Sequence, residues 1–151
     1  MIRSMTEGDI SKCIELGHAM HQESYYKHFN YNEEKLNKFL RLMISNPLQY
    51  CTLVCEHNKI IVGFFLGVSS EQWIGTDKMS SDLACYVIPE ERGSIAGIRL
   101  IKAYEQWARD IDVKEIIIGV STGINTKRTS SLFKHLGYGD EAFSFRKRNL
   151  I

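Results

Sequence analysis

Residues 83–101 run Leu83-Ala84-Cys85-Tyr86-Val87-Ile88-Pro89-Glu90-Glu91-Arg92-Gly93-Ser94-Ile95-Ala96-Gly97-Ile98-Arg99-Leu100-Ile101. The first six residues are apolar and aromatic at strand length, and Pro89 closes them. A helix is expected after the loop, because Ile98, Ile101, Tyr104, Ala108 and Ile111 repeat at helical spacing. Between the two lies a loop of small residues. The first turn of a helix has unpaired N–H groups and the positive end of the dipole, so such a junction can hold a phosphate. Arg92 and Arg99 would add charge. The plainer alternative is a tight turn that opens an ordinary helix. No Gly-Lys-Ser/Thr follows, so this is not a P-loop. The glycines are Gly93 and Gly97, so it is not a G-x-G-x-x-G turn either.

Outward from this junction, Ile60-Ile61-Val62-Gly63-Phe64-Phe65-Leu66-Gly67-Val68 reads as a central strand, apolar on both faces. His57-Asn58-Lys59 turns it back onto a strand over Tyr50–Glu56. Ser69–Ser81 is polar and is expected to be a loop. Toward the N-terminus, Ile2–Met5 reads as a strand and Thr6 as a helix cap with Asp9 as its partner. Ile10, Cys13, Ile14 and Gly17 mark the first helix. Asn32 opens a second helix with Leu36, Phe39, Leu40, Met43 and Ile44 on its face and Asn46-Pro47 at its end. Toward the C-terminus, Glu115–Val120 reads as a buried strand and Ser121–Asn125 as a loop. A helix runs from about Thr126 to Leu136 before Gly137. Ala142–Arg148 is expected to be a last strand. The order implies an α/β (α+β) fold with a mixed central sheet flanked by helices.

The 151 residues are enough for one domain, expected to span 1–151. Lys and Arg number 19 against 18 Asp and Glu, a net charge of +1 that disfavours a nucleic-acid backbone as partner. The N-terminus has no apolar signal region, and no uncharged apolar run is long enough for a membrane span. Cys13, Cys51, Cys55 and Cys85 form no C-x-x-C pair, and three lie in apolar stretches, so a reduced, cytoplasmic protein is expected. His18 and His21 lack the spacing and companions of a metal pair, and no metal is expected.

The segment from Leu83 to Ile101 resembles the central motif of the GNAT superfamily of acyl-coenzyme A-dependent N-acyltransferases, whose loop follows R/Q-x-x-G-x-G/A. Arg92 fills the first position and Gly97 the last, and Ile95 replaces the middle glycine. Downstream, Asn125 followed by Leu132-Phe133-Lys134-His135-Leu136-Gly137-Tyr138 is similar to the family's N…LYxxLGF segment, with spacing one residue longer. The element order also fits.

The resemblance implies two parallel strands, Leu83–Ile88 and Glu115–Val120, splayed to admit coenzyme A. Val87 and Ile88 would lie beside the pantetheine arm. Arg92, Gly93, Ser94, Ile95, Ala96 and Gly97 would hold the pyrophosphate, with Asn125, Arg128 and Phe133 contributing from the last helix. The implied activity is acetyl transfer from acetyl-coenzyme A to a primary amine by direct attack in a ternary complex. A non-catalytic coenzyme A-binding or protein-interaction module is the alternative. Asp82 or Glu71 would take the amine's proton. Phe133 occupies the position of the tyrosine that usually protonates the thiolate, leaving Tyr86 or a water. The expected partners are an amine acceptor, small molecule or protein, and, as one option, a second copy of the chain. The stretch Gly17–Tyr31 is expected to face the acceptor. The other reading of its aromatics, Tyr25, Tyr26, Phe29 and Tyr31, is packing of a loop onto the sheet.

Overall fold

The computed structural model describes residues 1–148 and residue 150. One five-stranded sheet runs β1 (Ile2–Ser4), β2 (Tyr50–His57), β3 (Ile60–Glu71), β4 (Lys78–Val87) and β5 (Val113–Ile117), in that spatial order. The first four strands pair antiparallel, and β5 joins β4 in parallel. Helices α1 (Ile10–Glu23) and α2 (Glu33–Ser45) cover one face and α3 (Ala96–Asp110) the other, with α4 (Thr126–His135) after β5.

The period of two in the strands makes both layers. Val54, Phe64 and Tyr86 turn toward α1 and α2, where they meet Ile10, Cys13, Ile14, Leu40 and Met43. Cys55, Val62 and Phe65 turn toward α3, where they meet Ala96, Leu100 and Tyr104. Tyr104 is fully buried; it stacks on Phe65 at 4.4 Å and donates its hydroxyl hydrogen to Ser80 Oγ at 2.8 Å. Gly67 makes room for that ring, since a Cβ there would lie 2.8 Å from Tyr104 Cε2.

The helix starts follow local chemistry. The Asn32 side chain accepts from the Lys35 amide at 2.9 Å, with Glu33 and Glu34 in the first turn. Thr6 and Asp9 do pair, with the Thr6 amide donating to Asp9 Oδ2 at 2.7 Å, but they close a 3-10 turn over Glu7–Asp9 that leads into α1. Arg3 grips Asp9 with two nitrogens, at 2.7 and 2.9 Å, and also reaches Glu56, joining β1, β2 and the start of α1.

Three expectations need correction. Ser69–Ser81 is mostly strand: Ser69, Ser70 and Glu71 pair with Ser80, Met79 and Lys78, and only the tip between Glu71 and Lys78 is loop. Backbone pairing and burial of Ser69 and Ser80 hold this polar stretch extended. The strand after α3 covers Val113–Ile117, and Lys114, Glu115 and Ile117 are exposed, because β5 is a sheet edge. Ala142–Arg148 forms no strand; Phe143 and Phe145 are exposed, and Arg146 is instead held by the Tyr26 hydroxyl and the Ser121 carbonyl.

Candidate active site

The site begins with an irregularity in β4. Leu66 faces Ala84 and Gly67 faces Asp82, so Leu83 is an extra, exposed residue, a β-bulge. A bulge bends its strand and increases local twist. Pairing of β4 with β5 runs only from Lys78 to Ser81, opposite Val113 to Ile117. Beyond it the strands part, and among the described residues β4 has no strand partner on that edge up to Val87. The Ile88 amide faces β3, donating to Val62 O at 2.9 Å. By the alternation of an antiparallel ladder, Val87 and Cys85 therefore present their backbone groups on the open edge. Ile88, expected beside Val87, is turned the other way.

β4 ends at Val87, a 3-10 turn over Pro89–Glu91 follows Ile88, and then comes the small-residue loop. Gly93 has φ +95°, and the Arg128 guanidinium lies over it, with Nη2 2.8 Å from where a Cβ would be. A side chain at Gly93 would exclude this arginine. The Ser94 amide donates to Glu91 O and the Ala96 amide to Ser94 Oγ. The amides of Gly93, Ile95, Gly97 and Ile98 have no protein acceptor among the described residues. A Cβ on Gly97 would meet open space, and the Ile95 side chain is exposed. This is a cradle of free N–H groups at the start of a 15-residue helix, with Arg128 beside it, and it suits a diphosphate. Asn125 opens α4 in the left-handed conformation, φ 46°, one turn before Arg128 reaches the loop; no capping bond holds its side chain.

Arg92, expected to face the pyrophosphate, is engaged elsewhere. Its amide donates to Pro89 O, its Nε to Val87 O at 2.9 Å, and its two terminal nitrogens to Glu23 at 2.9 and 3.0 Å. Tyr86, whose ring lies 5.2 Å beneath the Arg92 guanidinium, donates its hydroxyl hydrogen to Glu23 Oε1 at 2.5 Å. Burial, with the Glu23 contact, pushes the Tyr86 phenol up to about 12. The Arg92 bonds hold the Glu23 carboxyl below the usual carboxylate range. Glu23 was missed in the sequence. Its one signal is an acid as the last residue of a helix, against the dipole, which marks a side chain held by a cationic partner.

Asp82 lies where the strands part. Its Oδ1 accepts from the Gly119 amide at 2.8 Å, across the gap to the chain beyond β5. Burial raises the Asp82 carboxyl above the usual carboxylate range, and the Gly119 bond offsets part of this. Glu71 is not brought to the same place. It pairs with Lys78 at the far end of the hairpin, about 13 Å along β4 from Asp82 at roughly 3.3 Å per residue. Tyr86 is a similar distance from Asp82 on the other side.

A sequence profile of the acetyltransferase (GNAT) family matches residues 15–138. The chain belongs to the acetyltransferase (GNAT) family. No curated protein sequence matches it. Among solved structures it is similar to a transcriptional regulator from Bacillus halodurans C-125, at TM-score 0.80 and 13% identity, covering 99% of each chain. It is also similar to glucosamine-6-phosphate N-acetyltransferase from Arabidopsis thaliana, at TM-score 0.77 and 15% identity, covering 98% of this chain and 97% of that one. A third is ribosomal-protein-alanine N-acetyltransferase from Brucella melitensis biovar Abortus 2308, at TM-score 0.74 and 13% identity, covering 99% and 98%. At these identities the likeness is one of fold.

On this GNAT fold the remaining residues fall into place. Phe133 is buried on α4 and packs on Tyr138 at 5.7 Å. Tyr138 bonds Glu105 of α3 at 3.0 Å, so it fastens α4 rather than facing the gap. Burial pushes the Cys85 thiol up to about 12, so it lacks the thiolate character of a nucleophile. His18 and His21 pack on Tyr31 at 5.0 and 5.2 Å, and among the described residues no group of three or more His, Cys, Asp or Glu could hold a metal. Among the same residues no helix is long and apolar enough to cross a membrane.

Proposed function

We propose that the protein is an N-acetyltransferase that transfers an acetyl group from acetyl-coenzyme A to an amine by direct attack. The observation that carries the proposal is the parted β4 edge leading into the loop with free amides at Gly93, Ile95, Gly97 and Ile98. When bound, acetyl-coenzyme A supplies the thioester carbonyl that the amine attacks. The loop amides and Arg128 hold its diphosphate, and the open edge at Cys85 and the Val87 amide, whose carbonyl Arg92 already holds, pairs with its pantetheine arm as an added strand would. An amide near the Leu83 bulge polarises the carbonyl oxygen. Asp82 takes the proton that the amine must lose, and burial raises its carboxyl, which makes it a stronger base than an exposed aspartate. Tyr86 keeps its proton and donates it in a hydrogen bond to Glu23, so solvent protonates the leaving thiolate. Holding the two reactants side by side supplies much of the rate.

The acceptor class is a primary amine, on a small molecule or a protein. The four free cysteines support a reducing, cytoplasmic setting, and residues 1–151 act as one domain in this reading. The test is calorimetric titration with acetyl-coenzyme A, followed by free-thiol release over a panel of amines. Saturable binding with thiol release is expected, and absence of binding overturns the proposal. The burial of Phe133 at the position of the usual acid favours one other reading, a coenzyme A-binding module without turnover. Thiol release on any amine excludes it.

A further inference from the structure

We infer that Glu23 is a positioning residue that couples the cofactor loop to the turn on the acceptor side. The inference rests on the reading that acetyl-coenzyme A binds at the loop, and it concerns how the two halves of the site are joined.

Glu23 ends α1, and its carboxylate is the junction of three elements. Tyr86 of β4 donates to it at 2.5 Å. Arg92, next to Gly93 in the cofactor loop, holds it with both terminal nitrogens. Such a fork fixes orientation as well as distance. Arg92 is fixed in turn by its Nε bond to the Val87 carbonyl on the open edge of β4. One side of the parted strands is thereby tied to the end of α1.

The next two residues reach the other side. Ser24 accepts from the Tyr26 amide with its Oγ at 3.1 Å and starts the 3-10 turn Tyr25–His28. The Tyr25 amide donates to the Thr122 carbonyl, in the loop between β5 and α4, at 2.7 Å. Residues 23–25 therefore bridge the gap from the cofactor loop to the chain beyond β5. The turn carries Tyr25 and Tyr26, which the family resemblance implies for the acceptor side.

This is a contiguous chain of bonded groups, a physical route along which order at one site can reach another. Order imposed on residues 93–98 by a bound diphosphate is transmitted by the Arg92 fork to Glu23, and from Glu23 to the orientation of the turn. By reciprocity, an acceptor that fixes the turn tightens coenzyme A. The side chain of Glu23 is 32% exposed, so its replacement leaves no unfilled core.

Hydrogen exchange with saturating coenzyme A tests this without knowing the acceptor. In the wild-type protein, amides 93–98 and amides 25–29 should both slow, the latter by at least about 5-fold, the lower end of ordinary coupling. In Glu23→Gln, and separately in Arg92→Lys, which keeps the charge but loses the fork, the loop should still slow and the turn should not. Either variant alone suffices if the other fails to fold. Loop protection with an unchanged turn in the wild type overturns the coupling. Turn protection that persists in the folded variants overturns the assignment to Glu23. No protection at the loop overturns the cofactor reading and the inference together.

Discussion

Asp82→Asn separates chemistry from architecture at the head of the gap. The asparagine has the same shape, and its Oδ1 still accepts from the Gly119 amide. It cannot take a proton. Loss of a general base costs roughly 10²- to 10⁴-fold in rate, so kcat should fall into that range while coenzyme A affinity changes by less than a few-fold. Asp82→Ala removes both properties. A bond to a charged group contributes roughly 1.5–3 kcal/mol. If all of it is felt where the pantetheine arm lies, affinity falls a further 10- to 150-fold or so. Free-thiol release gives kcat, and calorimetry with coenzyme A gives affinity.

Stability does not confound the comparison, and the sign is set by the carboxyl itself. Burial raises it above the usual carboxylate range, so the native state binds this proton more tightly than the unfolded chain. Stability is then lost as pH rises from the unfolded value through the folded one. The asparagine variant escapes that loss, and it should unfold at no lower urea concentration than the wild type at pH 7. The same raised carboxyl places the acid limb of the kcat profile above the ordinary carboxylate range, and that limb should vanish in Asp82→Asn. An asparagine variant within about five-fold of wild-type kcat, against the 10²-fold minimum expected of a base, refutes the assignment and leaves Asp82 as a clasp on Gly119.

Gly97→Leu should leave thermal stability equal or slightly higher, because helical glycine costs about 0.8–1 kcal/mol against alanine and its Cβ meets open space. Coenzyme A affinity, read by calorimetry, should fall at least ten-fold, since that space is the cradle proposed for the diphosphate. Gly67→Ala should lose roughly 1–3 kcal/mol in urea unfolding, because the methyl would lie 2.8 Å from the buried Tyr104 ring. Asp9→Asn should lose roughly 1.5–3 kcal/mol at pH 7, since Arg3 holds the Asp9 carboxyl well below the usual carboxylate range. That contribution is complete above the unfolded value, about pH 4, and declines as pH falls below it toward the folded value. The wild-type and variant unfolding curves should therefore approach one another in acid.

The strand, proline, small-residue loop and helix of residues 83–101 were legible because each is a local signal: β-forming side chains, a residue without an amide, glycine, and a 3.6-residue period. The extension of β3 and β4 through Ser69–Glu71 and Lys78–Ser81 was not. Its cause is pairing between two polar segments, with Ser80 buried under the Tyr104 hydroxyl, and neither segment alone carries an apolar alternation. Gly93 and Gly97 could be singled out because backbone freedom at a helix start has a chemical meaning in sequence, whereas Arg128 was implied only by the family resemblance. Glu23 could not, since its partners lie 63 and 69 residues away. Arg92 shows how a correct motif can carry a wrong atomic expectation: the arginine belongs to the loop, yet its fork faces Glu23.

The division of labour in the loop follows from that fork. Two of the six residues 92–97 are glycines, and three of the six donate their amides within the protein: Arg92, Ser94 and Ala96. The alternate amides, Gly93, Ile95 and Gly97, are left free. Ile95 in place of a glycine is then compatible with the proposed reading, because that reading needs only its amide and its side chain is exposed. In the proposed reading the loop would meet a doubly charged group mainly with dipoles and Arg128, while Arg92 is paired with Glu23. A protein of net charge +1 can in this way offer positive potential at one helix start through dipole and a single arginine. Raising the salt concentration should weaken coenzyme A binding only modestly, far less than for a ligand bound by several free lysines or arginines.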